Sequence, residues 1–142
     1  MRTKFWFKII VITIICTMFT LFCSCGSTEK KYYEEKENYI GVTGTISHIQ
    51  YNEDLTVLYL GFSELSPAID DTSFKIVGEN LKIVQANGID IKLKIGEQIS
   101  FMTAPKYFGD GYVMPIVAIS VNGESLLDFQ EGYTNLLDWL SE

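Results

Sequence analysis

Chemistry-bearing side chains are few in this chain and unevenly placed. Its 142 residues include one histidine and three cysteines. Cys16, Cys23 and Cys25 all fall within the first 25 residues. The sequence beyond them therefore offers no disulfide, no thiol nucleophile and no thiolate for a metal. His48 would have to serve any Ser-His-Asp relay, and no Gly-x-Ser-x-Gly turn presents a serine to it. A lone histidine on an early strand reads as a partly buried or rim residue rather than a general base. Zinc lacks its usual ligands for the same reason.

Carboxylates remain. Glu53-Asp54 and Asp70-Asp71 are pairs in loops, and Asp110 stands in Phe108-Gly109-Asp110-Gly111-Tyr112. Two acids can hydrolyse a glycosidic bond, and clustered acids can hold calcium. The Asp-x-Asp-x-Asp-Gly spacing of a calcium loop is absent, and adjacent acids in turns are ordinarily just solvated. No metal or cofactor is expected. Gly109-Asp110-Gly111 has neither a following Lys nor a Gly-x-Gly-x-x-Gly frame to cradle a phosphate. The feature that stands out is aromatic: Tyr107, Phe108 and Tyr112 surround that turn beside Asp110. Rings next to an acid can stack on a sugar or a peptide side chain. The opposing reading is that they plug the core, since aromatic residues dominate cores as readily as sites.

The N-terminus speaks about location. Met1 to Lys8 is basic, and Ile9 to Phe22 is a run without a charge. That run is shorter than the roughly 20 apolar residues of a membrane span and lies in the range of a signal-peptide core. Leu21-Phe22-Cys23-Ser24-Cys25-Gly26 follows. It resembles the lipobox of bacterial lipoproteins, with a hydrophobic residue at −3, small residues before the cut and a cysteine after it. Cys25, preceded by Ser24, fits better than Cys23, preceded by Phe22; Phe22 at −3 departs from the usual Leu. The resemblance implies a signal peptide over 1–24, a diacylglycerol on the Cys25 sulfur, and further acylation of the new amino group. Two or more chains anchor stably where one does not. The implied location is the extracytoplasmic side of the cell membrane, with the bilayer as a partner. The other reading is an uncleaved anchor helix.

Charge follows the same boundary. The chain has 11 Lys+Arg against 18 Asp+Glu, and Arg2, Lys4 and Lys8 are the only charges in residues 1–24. From Cys25 onward, eight bases face all 18 acids, which argues against nucleic-acid binding through a basic footprint. Residues 25–38 are dense in charge and read as a flexible tether, with a short solvated helix of Glu-Lys pairs as the alternative.

Residues 39–142 must then form whatever positions the loop. Ile40 to Ile49 is β-branched and strand-like, Val42, Ile46 and His48 fall on one face, and Gly41 and Gly44 mark a bulge or bend. After a turn at Asn52-Glu53-Asp54, Thr56 to Phe62 is apolar enough for a strand covered on both sides. Phe74 and Ile76 alternate in a third strand. Asn80 is placed to cap a short helix that ends at Asn87-Gly88, with a strand through Leu81, Ile83 and Gln85 as the rival. Gln98 to Thr103 and Ile116 to Val121 are further strands, with Pro115 at an edge or strand start. Asn122-Gly123 signals a tight hairpin into Ser125–Phe129. Tyr133, Leu136, Leu137 and Leu140 make the stripe of a C-terminal helix.

This order predicts a mainly β domain with minor α. It resembles the OB-fold, a small barrel with a helix between its third and fourth strands, over about Tyr39 to Phe129. An open β-sandwich or another small barrel is the alternative. In an OB barrel the Tyr107–Tyr112 loop would join strands four and five, on the side where such barrels bind ligands. The expected function is a non-enzymatic, membrane-anchored binding or scaffolding module for an envelope protein or cell-wall glycan. The alternative is a small carboxylate-dependent hydrolase acting on glycan.

Overall fold

The computed structural model describes residues 25–70, 73–106 and 113–142, with side chains from Lys30 onward. Two compact units divide between Glu34 and Glu35. In the first, Cys25–Glu34 forms α1. This segment is helical, as in the Glu-Lys alternative to a tether, and Glu29, Lys30, Lys31 and Glu34 supply its good helix formers.

The second unit begins on the same helical theme, with a 3-10 turn at Lys36–Asn38. Lys36 is bound to the domain: its Nζ donates to Gln130 Oε1 at 2.6 Å and lies 5.0 Å from the Tyr133 ring centre. Tyr39 packs edge-on against both Phe129 and Tyr133. The folded domain therefore starts a few residues before position 39.

Six strands follow: β1 (Ile40–Tyr51), β2 (Val57–Ser66), β3 (Ser73–Val77), β4 (Gln98–Thr103), β5 (Met114–Val121) and β6 (Glu124–Leu127). Three helices complete the unit: α2 (Gly78–Ala86), α3 (Ile89–Lys92) and α4 (Phe129–Trp139). The sheet runs β3-β2-β1-β4-β5-β6, and a parallel pairing of β3 with β5 closes five of its strands into a ring that leaves β6 outside. The ring β1-β2-β3-β5-β4 that results is the OB-like barrel the element order predicts, with α2 between β3 and β4 and α4 at the C-terminus. All other pairings are antiparallel.

A long, bent β1 makes this closure possible. Its first half pairs with β4 from Ile40↔Thr103 to Thr45↔Gln98, and its length pairs with β2. The register with β2 slips between Thr43 and Thr45 and again between Ile46 and His48. The first slip lies opposite Gly44, but its extra residue belongs to β2, between Ser63 and Ser66, where Glu64 has a positive φ of 55°. The second changes the face: Val42 and Ile46 are buried, but His48 is exposed. An extra residue in one strand turns the next side chain to the other side of the sheet.

The core joins both halves of the barrel with α2 and α3. Phe62, Phe74 and Phe101 form an aromatic layer, with Phe62 stacked on Phe101 at 4.6 Å and Phe74 edge-on to both. Such pairs add roughly 0.5–1.5 kcal/mol beyond their buried area. In α2, Leu81 and Val84 face inward three residues apart, so the helix prevails over the rival strand. Gly88, in the left-handed conformation, ends it where the sequence placed a stop, and α3 follows at once.

Asn80 is not a cap. It is buried inside α2, where its Nδ2 donates to the Gly132 carbonyl at 2.8 Å and its Oδ1 accepts from Asn135. The side-chain cap belongs instead to α4, where Asp128 accepts from the Gln130 and Glu131 amides. With Asp128 as cap, Phe129 begins the helix rather than ending a strand. Gly132 lets α4 lie directly on β5, since a Cβ there would stand 1.9 Å from the Val117 carbonyl oxygen.

Candidate functional site

Strand directions give the barrel two unlike ends. One holds the end of β1, the starts of β2 and β4, the β5–β6 turn, and α2 and α3. Leu81, Val84, Ile89 and Leu93 close that end as part of the core. Polar bonds tie its pieces together. Tyr51 donates to Asp90 Oδ1 at 2.5 Å, Asn87 Nδ2 donates to the Leu126 carbonyl, and Lys92 pairs with Glu124 at 2.6 Å. Burial, and next the hydrogen bond to Asp90, push the Tyr51 phenol above its usual pKa.

Among the described residues no helix crosses the opposite end. It gathers the start of β1, the β2–β3 connection, the β4–β5 connection and the start of β5. A cleft of about 520 Å³ opens there, lined by Ile40, Pro67, Ala68, Ile69, Asp70, Pro105, Lys106 and Met114. Met114, on the wall of the cleft, is the register partner of Phe74 of the aromatic layer. Its described lining is apolar apart from Asp70 and Lys106. This composition suits a ligand that buries an apolar or ring surface and is oriented by a few polar groups.

The candidate loop is rooted here. Lys106 precedes Tyr107, and Met114 comes two residues after Tyr112. Tyr107, Phe108, Asp110 and Tyr112 themselves lie outside the described residues, as does Asp71. Of Cys25 only the backbone is described, within α1. His48 is remote from the cleft in the register and shares a 2.9 Å hydrogen bond between its Nε2 and Gln50 Oε1. Among the described residues no group of three or more His, Cys, Asp or Glu side chains could hold a metal. Nor is any described helix long and apolar enough to cross a membrane.

A second surface escaped the sequence reading. On the outer face of the sheet, Thr43 pairs with Ser100, Ser100 with Ser120, and Ser120 with Ser125. Four hydroxyl residues thus form a row across β1, β4, β5 and β6, spaced by the roughly 4.8 Å between strands. The neighbouring row is Gly41, Met102 and Ala118. Together they line a groove of about 440 Å³ that ends at Asp128 and Phe129. Thr43 Oγ1 donates to the Ser66 carbonyl. Each serine alone is unremarkable in sequence, and only the register aligns them.

A scan against protein-family models matches none, and searches of curated proteins and of solved structures find no significant match.

Proposed function

We propose that this protein is a lipid-anchored, extracytoplasmic binding module, attached through Cys25, whose OB-like domain takes hold of its partner at the loop-bordered end of the barrel. The observation that carries this reading is the 520 Å³ cleft at the root of the Tyr107–Tyr112 loop. An apolar cleft bordered by a loop rich in rings, with one acid and one base on its described walls, is built to bind. Of the two partners the sequence brings forward, an envelope protein and a cell-wall glycan, the outer hydroxyl row favours the glycan. Uncharged donors and acceptors at strand spacing match a polyhydroxylated chain better than they match a charged surface.

The anchor rests on the basic start, the uncharged run from Ile9 to Phe22, and the small Ser24 before Cys25. Mass spectrometry of the mature protein tests it. The N-terminus is expected at Cys25 with the leader removed, and Cys25→Ser should abolish both acylation and cleavage while Cys23→Ser preserves them. A mature N-terminus elsewhere defeats the assignment. Binding is tested by sedimenting the full chain in detergent with insoluble cell-wall glycan. Pelleting that soluble wall fragments compete away supports the glycan; no pelleting above the detergent control refutes it.

A further inference from the structure

Two Asn-Gly pairs occur in the chain, and their surroundings differ. Asn87-Gly88 closes α2. The Asn87 amide is held by the Leu126 carbonyl at 2.9 Å, and the Gly88 N–H is bonded to the Gln85 carbonyl at 3.0 Å. Asn122-Gly123 forms the tip of the β5–β6 hairpin. Both of its residues have positive φ, at 51° and 79°, as a two-residue primed turn requires. It is exposed, and the Gly123 N–H has no backbone acceptor among the described residues. The Asn122 side chain reaches across to donate to Glu97 Oε1 at 2.8 Å. The other oxygen of that carboxylate, Glu97 Oε2, is buried and has no hydrogen-bond partner among the described residues.

We infer that Asn122-Gly123 is a spontaneous modification site whose product releases the β5–β6 turn from Glu97. The Gly123 backbone nitrogen attacks the Asn122 side-chain carbonyl carbon. Its proton and the amide leave as ammonia, closing a five-membered succinimide. Water then opens the ring at either carbonyl, giving an aspartate or an isoaspartate. No oxidant or enzyme is needed. Glycine is the favourable successor because no side chain shields its nitrogen. At position 122 that nitrogen has no backbone acceptor among the described residues, and the turn that carries it is exposed. The side-chain amide is held at both sites, by Leu126 and by Glu97, so the difference is the nucleophile, which only at position 87 is tied into a helix cap.

The product is consequential because of Glu97. A donor amide becomes a carboxylate that faces another carboxylate, one of whose oxygens is already buried without a partner among the described residues. The attraction that joins the β5–β6 turn to the turn before β4 becomes repulsion. The neighbouring Glu124 is already engaged by Lys92, so that cation is not free to compensate. The isoaspartate form also adds a backbone carbon at the tip of a two-residue turn, which spoils the register.

The test is ageing of the full chain in mildly alkaline buffer, followed by peptide mapping. A gain of about a dalton, with isoaspartate, is expected at Asn122 well before Asn87. Equal rates at the two sites, or Asn87 first, would overturn the assignment. The consequence is tested separately with Asn122→Asp, which should lower the thermal midpoint, and with Glu97→Gln added, which should restore most of the loss. An Asn122→Asp protein as stable as the parent, or no rescue by Glu97→Gln, would refute the role given to Glu97.

Discussion

The two ends of the barrel solve the same problem in opposite ways. A closed ring of five strands leaves two openings, each of which must be covered or left for a ligand. At one opening α2 inserts Leu81 and Val84, α3 adds Ile89, and hydrogen bonds from Tyr51, Asn87 and Lys92 fix the cover in place. At the other, the described residues that surround the cleft come from strand starts and connections. Stability is concentrated where the segments between strands are regular and cross-bonded. Loops carry few such bonds and can be shaped around a partner. The proposal that the partner binds at the loop-bordered end rests on this contrast.

The largest expected effect follows from removing the cover. Leu81→Ala deletes a core side chain that the rigid barrel beneath cannot fill, and should cost about 2–5 kcal/mol in a urea melt at unchanged slope. A loss below 1 kcal/mol would mean that α2 sits loosely and that the ends do not differ. Gly132→Ala comes next. Its added methyl would meet the Val117 carbonyl of β5, backbone against backbone, so α4 must shift bodily and loosen the Asn80 bonds as well. Overpacking of this kind typically costs about 1–3 kcal/mol, and the upper end is expected here because no rotamer relieves it. A smaller, pH-dependent effect belongs to Tyr51. Its pKa is raised in the folded state above the ordinary 10.0. The stability it contributes is therefore complete below that value and is lost as the pH climbs through the folded pKa. Tyr51→Phe should shrink the fall in urea midpoint at high pH and leave the pH dependence near neutrality unchanged.

Much of the ring was legible, because strand periodicity, the Asn122-Gly123 hairpin and the Asn87-Gly88 stop are local signals. Three features were not, each for a nonlocal reason. Asn80 looked like a cap because its type favours caps, but its amide serves a carbonyl 52 residues away. The face of His48 depended on a slip in pairing with β2 that β1 alone does not encode. The hydroxyl row required four strands to be in register before Thr43, Ser100, Ser120 and Ser125 became neighbours. Of the candidate site, the sequence supplied the aromatic loop, while the cleft at its root came from residues of ordinary type drawn from β1, β5 and two connections.

The smallest expected change in stability tests the loop-bordered end itself. If Tyr107 and Tyr112 serve a ligand, their rings are not needed by the core, which has its own aromatic layer in Phe62, Phe74 and Phe101. Tyr107→Ala and Tyr112→Ala should then shift stability by no more than about 0.5 kcal/mol, as surface substitutions do. Both should weaken retention on cell-wall glycan. Truncating a buried aromatic would instead cost about 3–5 kcal/mol. A urea melt separates the two outcomes without knowledge of the ligand. A loss of several kcal/mol on either substitution would assign the rings to the core, making the aromatic loop a second cover and removing the contrast between the ends.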